Sequence, residues 1–278
     1  MKKNVLKSIV FQIFCVVVGL LLILPLLYAL RLSFLGPSAI INPTSKGFLD
    51  FWKEASFDNY VKVLAGQYFF RYIFNSFFVA FITSIMRVIT AALAAYAFAY
   101  FEFPLKKFLF FMVIGTMIVP AEMLMVPNYF TTAELGLINT YLGMTLVYAV
   151  SAANIFLLRQ SFMTQSMAIR EAAKIDGCSN LFFLIRILLP ISKAILATVF
   201  ISSFVTSWNA YLWPLLVTNS NPMRTAQVII TKLGTSELQS SYGEIMAAAV
   251  LILLPSIVIF AFFQKQITAG MAAGAVKE

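Results

Sequence analysis

Apolar residues gather into six long stretches, at roughly 9–30, 72–100, 108–126, 137–158, 194–217 and 245–263, with short polar segments between them. A helix that crosses the bilayer core needs about 20 mainly apolar residues at about 1.5 Å of rise each. Each stretch meets that length or comes close to it. The pattern predicts an all-α polytopic membrane protein with six transmembrane helices in one domain spanning 1–278. The second stretch is long and carries Arg87 near its middle, so it is expected to tilt or to protrude from the bilayer.

Three of the polar loops between the stretches are informative. Residues 31–71 carry the turn signals Gly36-Pro37, Asn42-Pro43 and Lys46-Gly47, and residues 218–243 carry Asn221-Pro222. The third loop, 160–193, has a different grammar. Ser166 stands where a helix N-cap belongs, and a short helix is expected to run from it to Asp176. Gly177 supplies the left-handed residue that closes such a helix. Ser179 is placed to cap a second, greasy helix, which Pro190 ends at the next span. On the first of these helices Ala168, Ala172 and Ile175 share a face, with Ala173 beside them and Glu171, Lys174 and Asp176 around it. Small residues permit close approach by another backbone. Two readings of this knob stand open: docking into a partner's groove, or an amphipathic loop lying on lipid.

Composition narrows the chemistry. Of 278 residues, 61% are hydrophobic and 11% charged. Soluble domains carry about 25% charged residues, so a soluble chain is excluded. With no histidine and two cysteines, Cys15 and Cys178, far apart, the inventory excludes a Ser-His-Asp triad and a Cys/His zinc site. No Gly-x-x-x-x-Gly-Lys-Ser/Thr phosphate loop occurs, so the chain has no means of cradling ATP. The net charge of +9 would suggest nucleic acid in a soluble protein, but here it reflects orientation. With the N-terminus inside, twelve of the twenty Lys and Arg fall in inner segments. Seven fall in outer ones, and Arg87 lies between. Both termini are therefore expected in the cytoplasm, with no nucleic-acid partner and the bilayer as solvent. The first stretch is read as a retained anchor rather than a cleaved signal.

The loop pattern Glu171-Ala172-Ala173, three residues, Gly177, nine residues, Ile187, one residue, Leu189-Pro190 resembles the EAA loop of ABC importer permeases. Ser166-Met167 depart from that family, which places a proline and then an acid there. Asn75-Ser76, Ala94-Ala95-Tyr96-Ala97-Phe98-Ala99, Phe103-Pro104, Trp208 to Leu215 and Ala269 to Lys277 resemble the carbohydrate-uptake branch. Pro120-Ala121-Glu122 and Leu158 to Met163 are most similar to its glycerol-3-phosphate and multiple-sugar members. The resemblance implies a type I importer permease fold in the bacterial cytoplasmic membrane, with Glu171, Ala172, Ala173, Asp176 and Gly177 as the contact set of a cytoplasmic coupling helix. It further implies a second homologous permease, two ABC ATPase subunits that bind ATP and Mg, and an extracytoplasmic solute-binding protein. No catalytic residue, metal site or cofactor is expected in this chain.

Several residues carry two readings each. Arg87 lines the solute path or binds an anion, or else pairs structurally, since an unpaired charge in a span is costly. Trp208, Asn209, Tyr211 and Trp213 stack on and hydrogen-bond a sugar, or form an interfacial aromatic belt. Glu122 belongs to an outer gate or is a satisfied interfacial carboxylate. For the substrate, an oligosaccharide and glycerol-3-phosphate or another polyol phosphate both suit the branch. The rivals from other classes are an ion-driven secondary carrier, which would need midmembrane titratable groups and often shows repeated halves, and a membrane scaffold that recruits a soluble partner.

Overall fold

A computed structural model describes residues 2–41, 54–233 and 242–275; the expected turns at Asn42-Pro43 and Lys46-Gly47, and Val276-Lys277, lie outside them. Among the described residues every regular element is helical. In chain order they are α1 (Lys2–Ser33), α2 (Pro37–Ile41), α3 (Asp58–Ala65) and α4 (Phe69–Tyr100), followed by α5 (Lys106–Ile118) and α6 (Ala121–Glu134). Then come α7 (Tyr141–Tyr148), α8 (Ala152–Met163), α9 (Met167–Ile175), α10 (Asn180–Ile191) and α11 (Lys193–Trp208). The last three are α12 (Leu212–Val217), α13 (Ala226–Leu233) and α14 (Tyr242–Ala275). Two compact units form: Met1–Phe70 with Ile229–Pro255, and Arg71–Val228 with Ser256–Glu278.

Among the described residues three helices are long and apolar enough to cross a membrane alone: Phe11–Ser33 within α1, α4, and Tyr242–Gln264 within α14. Three bent pairs raise the number to six if each counts as one span. The stretch expected as one helix over 108–126 is instead broken, with α5 and α6 meeting at 94°. Pro120 is the cause. It lacks a backbone N–H and holds Val119 extended, at φ −78° and ψ 117°. The stretch over 137–158 is also two helices, α7 and α8, bent by 51°. Here Ser151 takes an extended conformation and its Oγ accepts from the Asn154 N–H at 3.4 Å, so the helix restarts under a new cap. The stretch over 194–217 divides at Asn209–Tyr211 into α11 and α12. Sixteen residues make α11 a helix of about 24 Å, short of the hydrocarbon core, and it passes the length and apolarity test for a span only together with α10.

In the first unit the most apolar part of α1 buries no residue within the chain. Outward-facing Leu, Ile, Val and Phe carry no penalty where hydrocarbon is the solvent. The C-terminus of α1 is held by α3. Buried Asn59 donates to the carbonyls of Ser33 and Leu35, each at 2.9 Å, and Lys62 pairs with Glu244 at 3.2 Å.

In the second unit the core runs along α4. Ala91, Ala92 and Ala95 are buried against Ile155, Leu158 and Phe162 of α8 and against Leu184 and Leu188 of α10. Their small side chains let the backbones close up, which is the main source of packing between helices in lipid. At the other half of α4, Val79 packs with Met144, Trp213 and Val217. Gly143 is required there, because a Cβ on it would overlap the carbonyl oxygen of Leu137.

Candidate functional site

The knob in loop 160–193 forms as its residue order dictates. The Ser166 Oγ accepts the Ala168 N–H at 3.3 Å and opens α9. The helix closes in a Schellman motif: the Gly177 N–H donates to Lys174 at 3.1 Å, and the Cys178 N–H donates to Ala173 at 2.9 Å. Gly177 sits at φ +74°, a region open to glycine and costly for a side chain with a Cβ. Three orphan groups at the two ends of a nine-residue helix, the Ala168 N–H and the Ala173 and Lys174 carbonyls, are thus satisfied locally.

The face that α9 presents is chemically divided. Glu171, Ala172, Asp176 and Gly177 are exposed, as are Ala168 and Ile175, the last at 86%. Ala173 is the exception in the expected contact set. It is buried among Tyr96, Tyr100 and Phe183, so it seats the helix on its own chain and is not surface for a partner. A helix face is only about 100° wide, and Ala173 falls outside the arc that Ala168, Ala172 and Ile175 define.

Three residues not singled out from sequence build that seat. Arg170 lays its guanidinium over the ring of Tyr100, Cζ to centroid 5.1 Å, with Phe101 at 5.9 Å. Its buried Nε finds no hydrogen-bond partner among the described residues, so the rings hold it. The Tyr96 hydroxyl donates to the Asn180 carbonyl and the Tyr100 hydroxyl to the Phe162 carbonyl, both at 3.1 Å. Tyr96 and Tyr100, one turn apart at the end of α4, were legible as a same-face pair. What they reach was not.

Beneath this seat α10 departs from a simple α-helix. Residues Phe183–Leu188 form a π-helical segment ahead of Pro190, which has no N–H to give. Phe183, Leu184 and Leu188 turn inward, while Leu181, Phe182, Ile185 and Arg186 are exposed. The chain then turns by 82° into α11.

The residues proposed from sequence for a solute path do not gather into one site. Trp213 is buried, and its Nε1–H donates to the Gly143 carbonyl at 3.0 Å, which is a structural bond. Trp208 is buried as well, stacked on Phe204 at 6.1 Å, with its Nε1–H unpartnered among the described residues. Asn209 is exposed and donates back to the Val205 carbonyl at 2.9 Å, and Tyr211 is half-buried. On either side of the break at Asn209–Tyr211 the two tryptophans belong to separate packing groups, Trp208 with Ala80 and Phe204 and Trp213 with Val79, Met144 and Val217. Glu122 is exposed at the bend between α5 and α6.

Arg87 is half-buried and has definite partners. Its Nε donates to the Tyr148 carbonyl at 2.7 Å, and its Cζ lies 5.6 Å from the centre of the Tyr148 ring. Tyr148 is the last residue of α7, where the break strips carbonyls of their helical donors. One turn on, the Thr90 hydroxyl lies 2.8 Å from the Ala149 carbonyl. Among the described residues no cluster of three or more potential metal ligands occurs.

Comparison with known proteins agrees with this architecture. Residues 87–273 match the family described as binding-protein-dependent transport system inner membrane component. The sn-glycerol-3-phosphate transport system permease protein UgpE of Yersinia pestis is 37% identical over 198 residues, covering 71% of this chain and 70% of its own length. Its counterpart in Brucella melitensis biotype 1 is 31% identical over 262 residues, 92% of this chain and 93% of its own. Among solved structures, a chain of a bacterial ABC transporter involved in import of the acidic polysaccharide alginate superposes with a TM-score of 0.81. It is 24% identical and covers 95% of this chain and 98% of that one. A chain of the bacterial alginate ABC transporter in complex with alginate pentasaccharide-bound periplasmic protein gives 0.61, at 14% identity over 93% and 94%. At these identities the likeness to the solved structures shows the fold alone.

Proposed function

The chain belongs to the family of binding-protein-dependent transport system inner membrane components, and from that premise we propose that it forms one half of a carbohydrate translocation path coupled to partner ATPases through α9. The observation that carries the coupling assignment is the division of α9. Glu171, Ala172 and Asp176 face out, while Ala173 and Arg170 bind the helix to α4. A helix fixed to its own chain on one side and bare on the other is suited to passing motion inward.

In this reading a second, homologous permease completes the path. Two ABC ATPase subunits hold ATP and Mg on the cytoplasmic side, and an extracytoplasmic binding protein delivers the solute. Both termini and loop 160–193 face the cytoplasm. ATP closes the ATPase pair, draws the two coupling helices together and opens the spans outward; hydrolysis resets them. This chain itself performs no hydrolysis. Membership in a binding-protein-dependent family sets aside the ion-driven carrier.

A specific observation favours a second substrate reading. Relatives 31–37% identical are named as sn-glycerol-3-phosphate permeases, so a polyol phosphate is the alternative to an oligosaccharide. Binding of sn-glycerol-3-phosphate or of maltotriose by the solute-binding protein that co-purifies with the complex decides between them.

The coupling assignment is tested with Ile175→Cys and Glu171→Lys. A cysteine at 175 is expected to cross-link to the ATPase, and charge reversal at 171 to abolish uptake while leaving the helical fold intact. Absence of any cross-link to an ATPase, together with normal uptake by Glu171→Lys, would overturn the assignment.

A further inference from the structure

The break between α7 and α8 exposes two backbone carbonyls within a segment read as spanning the membrane, Tyr148 and Ala149. An unsatisfied carbonyl in hydrocarbon costs several kcal/mol, so broken spans persist only where something restores the bonds. Both donors here come from one turn of α4. The Arg87 Nε–H serves Tyr148 at 2.7 Å. The Thr90 hydroxyl has three carbonyls in reach: Ala149 at 2.8 Å, Met86 at 2.9 Å and Arg87 at 3.2 Å. Met86 and Arg87 lie inside α4 and already accept from its helical ladder, whereas Ala149 lies in the break and has no such donor, so the single hydroxyl hydrogen belongs to Ala149. The guanidinium also faces the carbonyl end of α7, where the aligned peptides leave partial negative charge.

From these contacts we infer that Arg87 and Thr90 are positioning residues that pin the break to α4, so that α7 and α8 follow α4 as it moves. The inference rests on the permease reading. It adds the route by which motion of α9 reaches the middle of the chain. Between Arg87 and Tyr100 there is neither proline nor glycine, so α4 is a continuous rod of about 20 Å over these residues. Its far end is the seat of α9, through Arg170 on Tyr100 and through Tyr96 on Asn180. One rigid helix therefore holds the knob at its end and the break near its middle. Arg87 in this role contacts backbone, not solute.

The test uses the complete complex in lipid nanodiscs and proteoliposomes. Cys15 and Cys178 are replaced by serine, and spin labels are placed at Leu142 and Phe156, both exposed and on either side of the break. The pinned complex is expected to give one narrow label distance with and without ATP. Thr90→Val, which keeps the shape and removes the donor, and Arg87→Met are each expected to broaden it. Uptake, with radiolabelled sn-glycerol-3-phosphate and maltotriose offered in parallel, is expected to fall about five-fold or more without a rise in KM. Arg87→Lys, which retains a cationic donor, is expected to recover part of both. A broad distribution in the unsubstituted complex, or a narrow one with intact uptake in both variants, would overturn the pin. So would a raised KM with a narrow distance in Arg87→Met, which would make the guanidinium a solute ligand. Glu171→Lys, run alongside, judges the permease reading separately, because the distance measurement does not depend on its outcome.

Discussion

Tyr141 donates its phenolic O–H to the Oδ1 of Asn75 at 2.7 Å, and through that bond the start of α7 is tied to α4. Asn75 is fully buried, and its Nδ2 donates at 2.9 Å to the carbonyls of both Pro222 and Arg224, with Arg71 Nε giving a further bond to Pro222. The next residue, Ser76, accepts the N–H of Ala226 at 2.8 Å and so opens α13. A single amide side chain thus orders the segment after α12, using all three bonds a buried amide most needs.

Removing that amide should cost more than removing its tyrosine partner. Asn75→Asp keeps an acceptor for Tyr141 but sets a carboxylate against two carbonyls, and Asn75→Ala removes a bond from all three partners. With Pro222 still holding its bond from Arg71, the Tyr141 hydroxyl and the Arg224 carbonyl are the groups that Asn75→Ala strips, and each variant is expected to destabilise by about 2–4 kcal/mol, against about 1 kcal/mol for Tyr141→Phe. Thermal unfolding of the purified complex in detergent checks the order. Equal midpoints for Asn75→Asp and the unsubstituted protein would contradict the assignment.

Trp213 is a structural residue in this fold, so its replacement should touch stability and leave solute affinity alone. Trp213→Phe loses the bond to Gly143, worth about 1 kcal/mol, and a modest volume. The uptake KM is expected to stay unchanged. Gly143→Ala at the same contact should be far worse, since the added Cβ meets the Leu137 carbonyl and has no room to yield. A rise in KM for Trp213→Phe would return this residue to the solute path.

Arg170 holds α9 by stacking, which predicts a graded response. A partly buried cation–π contact is worth about 0.5–2 kcal/mol, so Arg170→Ala is expected to loosen the knob and lower uptake per ATP hydrolysed by up to about thirty-fold. Arg170→Lys, with a cation but no flat face to stack, should fall between. The ratio of ATP hydrolysed to solute transported in proteoliposomes measures this. An unchanged ratio in Arg170→Ala would show that the seat does not need the guanidinium.

Where a residue's role is settled within a few positions of chain, the sequence was enough. The caps at Ser166 and Ser179 and the left-handed closure at Gly177 form as their spacing requires, because each bond is made within about five residues. The kink at Pro120 had an equally local cause in a missing N–H, yet the hydrophobic run passes straight through it, and counting apolar residues hides the bend.

Long-range partners were not readable in this way. Arg87 stood out in the sequence as a charge needing a partner, but that partner is a carbonyl 61 positions away, exposed only because another helix breaks there. The two tryptophans Trp208 and Trp213 look like one cluster in the chain and lie in separate packing groups in the fold. Ala173 reads as part of a docking ridge until the Tyr96–Tyr100 seat claims it. The amino-acid order by itself determined the membrane class, the helical content and the knob, since these follow from bilayer thickness and from hydrogen bonds between near neighbours. Only the tertiary structure decided which face of each helix is spoken for, because that depends on which helices meet, and neighbours sixty residues apart leave no periodic trace in the sequence.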